Sequence, residues 1–167
     1  MKNTGRLLCL AFVAFIFSLS VAIGGSAQAA TRMPDFALNS VLDGKAVSSS
    51  NFEGKVLLVT FFATWCPPCI EEIPTLKELH SQLGAEGFSV VALSVDQSGP
   101  ADVAKMVKKK AINYPVLMAD EEVMKNFGGV YGIPVSFLVN KKGNVVKKYT
   151  GYVSGKTLLK DIKSILK

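Results

Sequence analysis

The chain has 167 residues, 49% of them hydrophobic, and carries 19 basic against 13 acidic residues for a net charge of +6. That length fits one domain with extras, and the positive balance is too weak and too scattered to indicate a nucleic-acid binder. Three cysteines are too few for a structural disulfide framework.

Residues 1–29 read as a secretory signal. Lys2 and Arg6 form a positive start, Leu7 to Ile23 is nearly all apolar, and Ser26-Ala27-Gln28-Ala29-Ala30 offers an Ala-x-Ala pattern with cleavage after Ala29. The apolar stretch is almost long enough to span a bilayer, so retention as an N-terminal anchor is the alternative. Cys9 lies near the start of that stretch behind Leu7 and Leu8, the wrong context for lipidation, and is discarded with the leader. Residues 30–167 then form the mature domain, 138 residues that hold 17 of the 19 basic residues and all 13 acidic ones, a net charge of +4. Only Cys66 and Cys69 remain, so the pair is there for chemistry or metal.

Along the mature chain, Asp35–Leu38 and Lys45–Val47 flank Asp43-Gly44 and predict a short hairpin. Ser48 to Gly54 is expected as a polar connector. Val56 to Phe62 is a continuous β-prone run, as expected of a strand buried on both faces of a parallel sheet. A helix follows from the cysteine motif to about Leu83, broken or kinked at Pro74 and ended by Gly84 and Gly87. A second buried strand spans Phe88 to Val95, and a helix spans Asp102 to Lys110 with Lys108, Lys109 and Lys110 on its solvated side. Val116–Met118 is short and extended, and Glu121–Phe127 is a helix stopped by Gly128-Gly129. Val135–Val139 and Val145–Tyr149 form a hairpin. Ser154 to Lys167 closes the chain as an amphipathic helix that offers Leu158, Leu159, Ile162 and Ile165 to the sheet. Helices on both faces of a mixed sheet are expected, an α/β fold.

Trp65-Cys66-Pro67-Pro68-Cys69 stands where the first buried strand meets its helix. Two thiols one turn apart at a helix N-terminus can close a disulfide, and the unpaired N–H groups and macrodipole favour thiolate on the first. Such a disulfide is readily exchanged, which points to redox chemistry on other thiols. A metal site is not expected. Zinc needs four ligands, and His80, the only histidine, lies fourteen residues along the same helix from Cys66; it reads as a helix residue at the core edge. Glu72 falls inside the apolar stripe of Cys69, Ile73, Leu76, Leu79 and Leu83 at ~100° per residue, whereas Glu71 points nearly opposite. A carboxyl placed there is desolvated and its pKa raised, fit to exchange protons near neutral pH.

Val56–Cys69 followed by Glu72 and Pro74, with Tyr131-Gly132-Ile133-Pro134 some sixty residues later, resembles the thioredoxin superfamily, and more narrowly its exported TlpA/ResA/CcmG (DsbE) group. The likeness covers residues 34–167 and implies a thioredoxin-like fold with an N-terminal β-hairpin and a central insertion around residues 97–127. It implies an exposed nucleophile at Cys66, a more buried resolving thiol at Cys69, an active-site carboxyl at Glu72 and a cis bond before Pro134. Trp65, Pro67, Pro68, Ile133 and Pro134 are the implied substrate-facing residues. Thr60 stands where cytoplasmic thioredoxins have a buried Asp, and is given no catalytic role.

The expected function is thiol–disulfide exchange in the periplasm or at the outer face of the cytoplasmic membrane. The resemblance implies reduction of exported proteins such as apocytochrome c in cytochrome c maturation, with a membrane thiol carrier of the DsbD/CcdA type as electron donor. No cofactor beyond the Cys66–Cys69 disulfide, no nucleic acid and a monomeric state are expected. The alternatives are a disulfide oxidase or isomerase, a metallochaperone, disfavoured by its Cys-x-x-x-Cys spacing, and a peroxidase. Peroxiredoxins place Thr three residues before the reactive cysteine, where this chain has Ala63.

Overall fold

A computed structural model describes residues 31–167; the leader and Cys9 lie outside the described residues. Two strands, β1 (Ala37–Asn39) and β2 (Ala46–Ser48), pair antiparallel as the predicted hairpin. The main sheet contains β3 (Val56–Phe62), β4 (Phe88–Ser94), β5 (Val116–Met118), β6 (Val135–Val139) and β7 (Val145–Thr150), in the order β5-β4-β3-β6-β7. β3, β4 and β5 run parallel, while β6 and β7 run antiparallel to their neighbours.

All seven residues of β3 and all seven of β4 are buried, because side chains alternate between two apolar layers. Val56, Leu58 and Phe62 face a layer built by helices α1 (Pro67–Leu83), α2 (Pro100–Lys109) and α4 (Gly155–Leu166). Leu57, Val59 and Phe61 face a second layer made by the N-terminal hairpin segment and helix α3 (Glu121–Asn126). In that second layer Phe61, Phe127 and Phe137 meet edge to face, with centroids 5.0 to 6.1 Å apart. The segment carrying α2, β5 and α3 is the expected central insertion. Its strand extends the sheet by pairing Val116 with Ala92.

Three local expectations are corrected. The Ser48–Gly54 connector is a 3-10 turn over Ser49–Phe52. Ser48 caps it, Asn51 accepts the Ser48 N–H in return, and Phe52 is buried in the second layer. Helix α1 continues through Pro74 without a break for 17 residues, because burial of Ile73, Leu76, Leu79 and Leu83 holds both halves to the sheet. In α4, Leu158, Ile162 and Leu166 are buried, whereas Leu159 and Ile165 only flank the core.

Replacing Phe61 with Ala should cost about 3–5 kcal/mol in urea unfolding, since the ring is fully buried and touches two other rings. A loss below about 1 kcal/mol would mean that the second layer is not a packed core.

Candidate active site

The cysteine loop leaves the C-terminal end of β3 and enters α1. Cys66 is the cap of α1, with extended backbone, and its N–H donates to Ala63 O at 3.2 Å. Pro67 and Pro68 occupy the first two helical positions and bring no N–H groups. The next N–H, of Cys69, donates to Cys66 Sγ at 3.4 Å. The two sulfurs form a disulfide, with Cα atoms 5.3 Å apart.

That geometry corrects two expectations. Cys66 is 4% exposed against 3% for Cys69, so the pair shares one depth. Moreover, one N–H rather than several serves the Cys66 sulfur, because proline removes the other two donors.

Glu72 lies one turn beyond Cys69 and is buried, while Glu71 is exposed. Its Oε1 accepts the Val153 N–H at 2.6 Å, tying α1 to the loop between β7 and α4. Burial pushes the Glu72 carboxyl above its ordinary value; the Val153 N–H partly opposes this and the nearby Glu71 charge adds to it. Thr60, Cys69, Glu72 and Tyr114 are among the residues lining one small cavity of about 10 Å³, at the lower limit of what one water requires. Burial, and then the Glu72 charge, raise the Tyr114 phenol, so that it stays protonated. Thr60 Oγ1 accepts from Ser136 Oγ at 2.9 Å, an interaction across the β3–β6 pair.

A residue that sequence reasoning missed holds the loop from the other side. Asp96, buried just after β4, accepts the Thr64 N–H at 2.9 Å, the Thr64 hydroxyl, and the Ser94 hydroxyl at 2.8 Å. It thereby anchors the turn two residues before Cys66. The available signal was a lone acid at the end of an otherwise apolar strand.

The remaining predicted residues collect at the same end of the sheet. β6 pairs antiparallel with β3, with Val135 opposite Phe61, so Ile133 and Pro134 arrive beside the loop that leaves β3. The Ile133–Pro134 bond is cis; Pro134 is buried and Ile133 half-buried. Trp65 is 68% exposed, Pro67 is exposed and Pro68 is half-buried. His80 sits away from this end; its Nδ1 accepts the Val90 N–H at 3.2 Å. Among the described residues no helix is long and apolar enough to cross a membrane.

Residues 28–166 match the Redoxin family model. A thiol-disulfide oxidoreductase ResA of Bacillus thuringiensis subsp. konkukian is 32% identical over 133 residues, covering 79% of this chain and 75% of the relative. A thiol:disulfide interchange protein of the thioredoxin family from Chlorobium tepidum TLS is 37% identical, with a TM-score of 0.76 over 82% of this chain and 97% of that one. A putative thiol:disulfide interchange protein DsbE from Chlorobium tepidum is 28% identical with the same TM-score, covering 83% of this chain and 97% of that one. The fold is thioredoxin-like, with the small hairpin sheet beside the five-stranded one.

Two outcomes are expected. Asp96→Ala should cost about 2–3 kcal/mol in urea unfolding, because it strips an ionisable acceptor from three buried or half-buried donors. For Glu72 the sign follows from its raised pKa: below pH ~4.5 folded and unfolded chains both hold the proton, and as pH rises the unfolded chain releases it first. Wild type should therefore lose stability relative to Glu72→Gln as pH rises above ~4.5, read as a gap in urea midpoints that grows until the folded carboxyl also ionises. A constant gap would contradict the burial argument.

Proposed function

This chain belongs to the Redoxin family as a thiol–disulfide oxidoreductase of the ResA/DsbE type, and from that premise we propose that it reduces disulfides of exported proteins. The observation that carries the mechanism is the Cys66–Cys69 disulfide at the start of α1 with a buried carboxyl, Glu72, sharing a water-sized cavity with Cys69.

In the reduced protein the Cys66 thiolate, favoured by the helix dipole and the Cys69 N–H, attacks one sulfur of the client disulfide. The client's other sulfur leaves as thiolate and takes up a proton, and a mixed disulfide through Cys66 remains. Glu72, directly or through one water in the cavity, accepts the Cys69 proton. The Cys69 thiolate then attacks Cys66 Sγ, closing the intramolecular disulfide and releasing the client's second thiol. Two electrons have passed from the cysteine pair to the client, and a reduced thiol carrier must return them. A carboxyl whose pKa is raised by burial suits this role better than a fully solvated one, because its affinity for the proton is closer to that of the thiol.

The backbone at Ile133, next to the cis bond, offers an extended client segment an edge on which to pair. Trp65, Pro67, Pro68 and Pro134 form the rest of the contact surface. Residues 1–29 serve as the export signal and residues 30–167 as the working domain, in the periplasm or at the outer face of the cytoplasmic membrane. The finer assignment follows the family resemblance: haem-attachment cysteines of apocytochrome c as clients, and a membrane carrier of the DsbD/CcdA type as donor.

Cys69→Ser should trap clients as mixed disulfides through Cys66 in cells, resolved on non-reducing gels and identified by mass spectrometry. With the resolving thiol gone, the intermediate has no internal exit. An exported, reduced variant that accumulates no such species would sink the mechanism.

A further inference from the structure

Tyr131 is 98% exposed, although the loop that bears it runs directly into the cis Pro134 at the cysteine end of the sheet. Its ring is laid back over Gly129: a Cβ on that glycine would fall 2.5 Å from Tyr131 Cε2 and 2.7 Å from its hydroxyl. Gly129 also has a φ of +83°, which disfavours any other residue. Glycine at 129 is therefore what lets the ring lie there. Beside the ring an open depression of about 500 Å³ is lined by Met124, Val130 and Gly128, with Glu121 and Lys125 contributing one charge of each sign.

We propose that Tyr131 and this depression form a subsite that takes an aromatic or bulky apolar side chain of the client, close in sequence to its oxidised cysteine. The inference rests on the oxidoreductase reading above and specifies the class of client segment. Continuity with the site argues for it, since Tyr131 stands two residues before Ile133. An extended segment paired at Ile133 advances ~3.3 Å per residue, so the client side chain that meets Tyr131 is one near its oxidised cysteine in sequence. The two opposite charges at the depression leave no net electrostatic preference, so selection rests on apolar and aromatic contact. Rigid exposed tyrosines supply such contact at low entropic cost.

The test uses the reduced full chain and two peptides, each closed by one intramolecular disulfide. They differ only in Phe or Ser at positions two and three residues to either side of the cysteines. Wild type should favour the Phe peptide about tenfold in kcat/KM, through KM, as expected when one aromatic anchor is buried. Tyr131→Ala should cut that preference below about twofold, and Tyr131→Phe should restore it. Equal handling of the two peptides by wild type, or a preference that survives Tyr131→Ala, overturns the subsite. Failure of wild type to reduce hydroxyethyl disulfide would overturn the oxidoreductase reading beneath it as well.

Discussion

Strand β3 is buried on both faces and hydrogen-bonded on both edges, and the disulfide depends on that confinement. Its parallel partner β4 delivers Asp96 to one side of the cysteine loop, and its antiparallel partner β6 delivers Pro134 to the other. The loop between is short, so fixing the end of β3 fixes the start of α1. Asp96 removes most of the remaining freedom, since a buried carboxylate that accepts from Thr64 N–H and hydroxyl cannot move without leaving those groups unpaired. The Cys66–Cys69 disulfide is thereby held in one frame, and Glu72 fastens α1 to the loop before α4 through Val153.

Pro67 and Pro68 make this helix N-terminus electrostatically spare. A helix start normally presents several unpaired N–H groups, but here one donor, Cys69 N–H, faces the Cys66 sulfur. The remaining help for a thiolate comes from the macrodipole, a modest effect at a helix end. Little of the site's chemistry can therefore rest on the helix alone, and the carboxyl beneath Cys69 gains weight accordingly. Thr60 fits the same logic: with its hydroxyl engaged by Ser136, the strand supplies no ionisable group, and Glu72 is the one acid lining the shared cavity.

What could be read from the sequence was what local pattern determines. The apolar run of β3, the stripe of α1 and the burial of Glu72 within it all follow from periodicity, and the strand boundaries at Val56 and Phe62 came out as observed. Asp96 escaped because Thr64, the residue it anchors, lies 32 residues away, and no spacing rule connects the end of one strand to the loop after another. The 3-10 turn at Ser49–Phe52 escaped for a related reason: Ser48, Asn51 and Phe52 read as a polar connector until Phe52 is seen to have a core to enter. Pro74 was read as a break because proline removes a helix hydrogen bond, yet tertiary burial on both sides of it outweighs that local cost. The depth of Cys66 is set by tertiary packing around the loop and is not written in residue order.

The site separates its two tasks by depth. Two ionisable groups lie buried beneath the disulfide: desolvation raises both the Glu72 carboxyl and the Tyr114 phenol. Two of the exposed large apolar side chains stand on the surrounding loops, Trp65 beside Cys66 and Tyr131 before the cis proline. For the proposed exchange, exposed rings on these loops offer a client contact area without reorganising the core. The proposed exchange uses both depths, since a client docks at the surface while the Cys69 proton passes to a buried carboxyl. The stretch from exposed Trp65 to buried Glu72 is where the two environments meet.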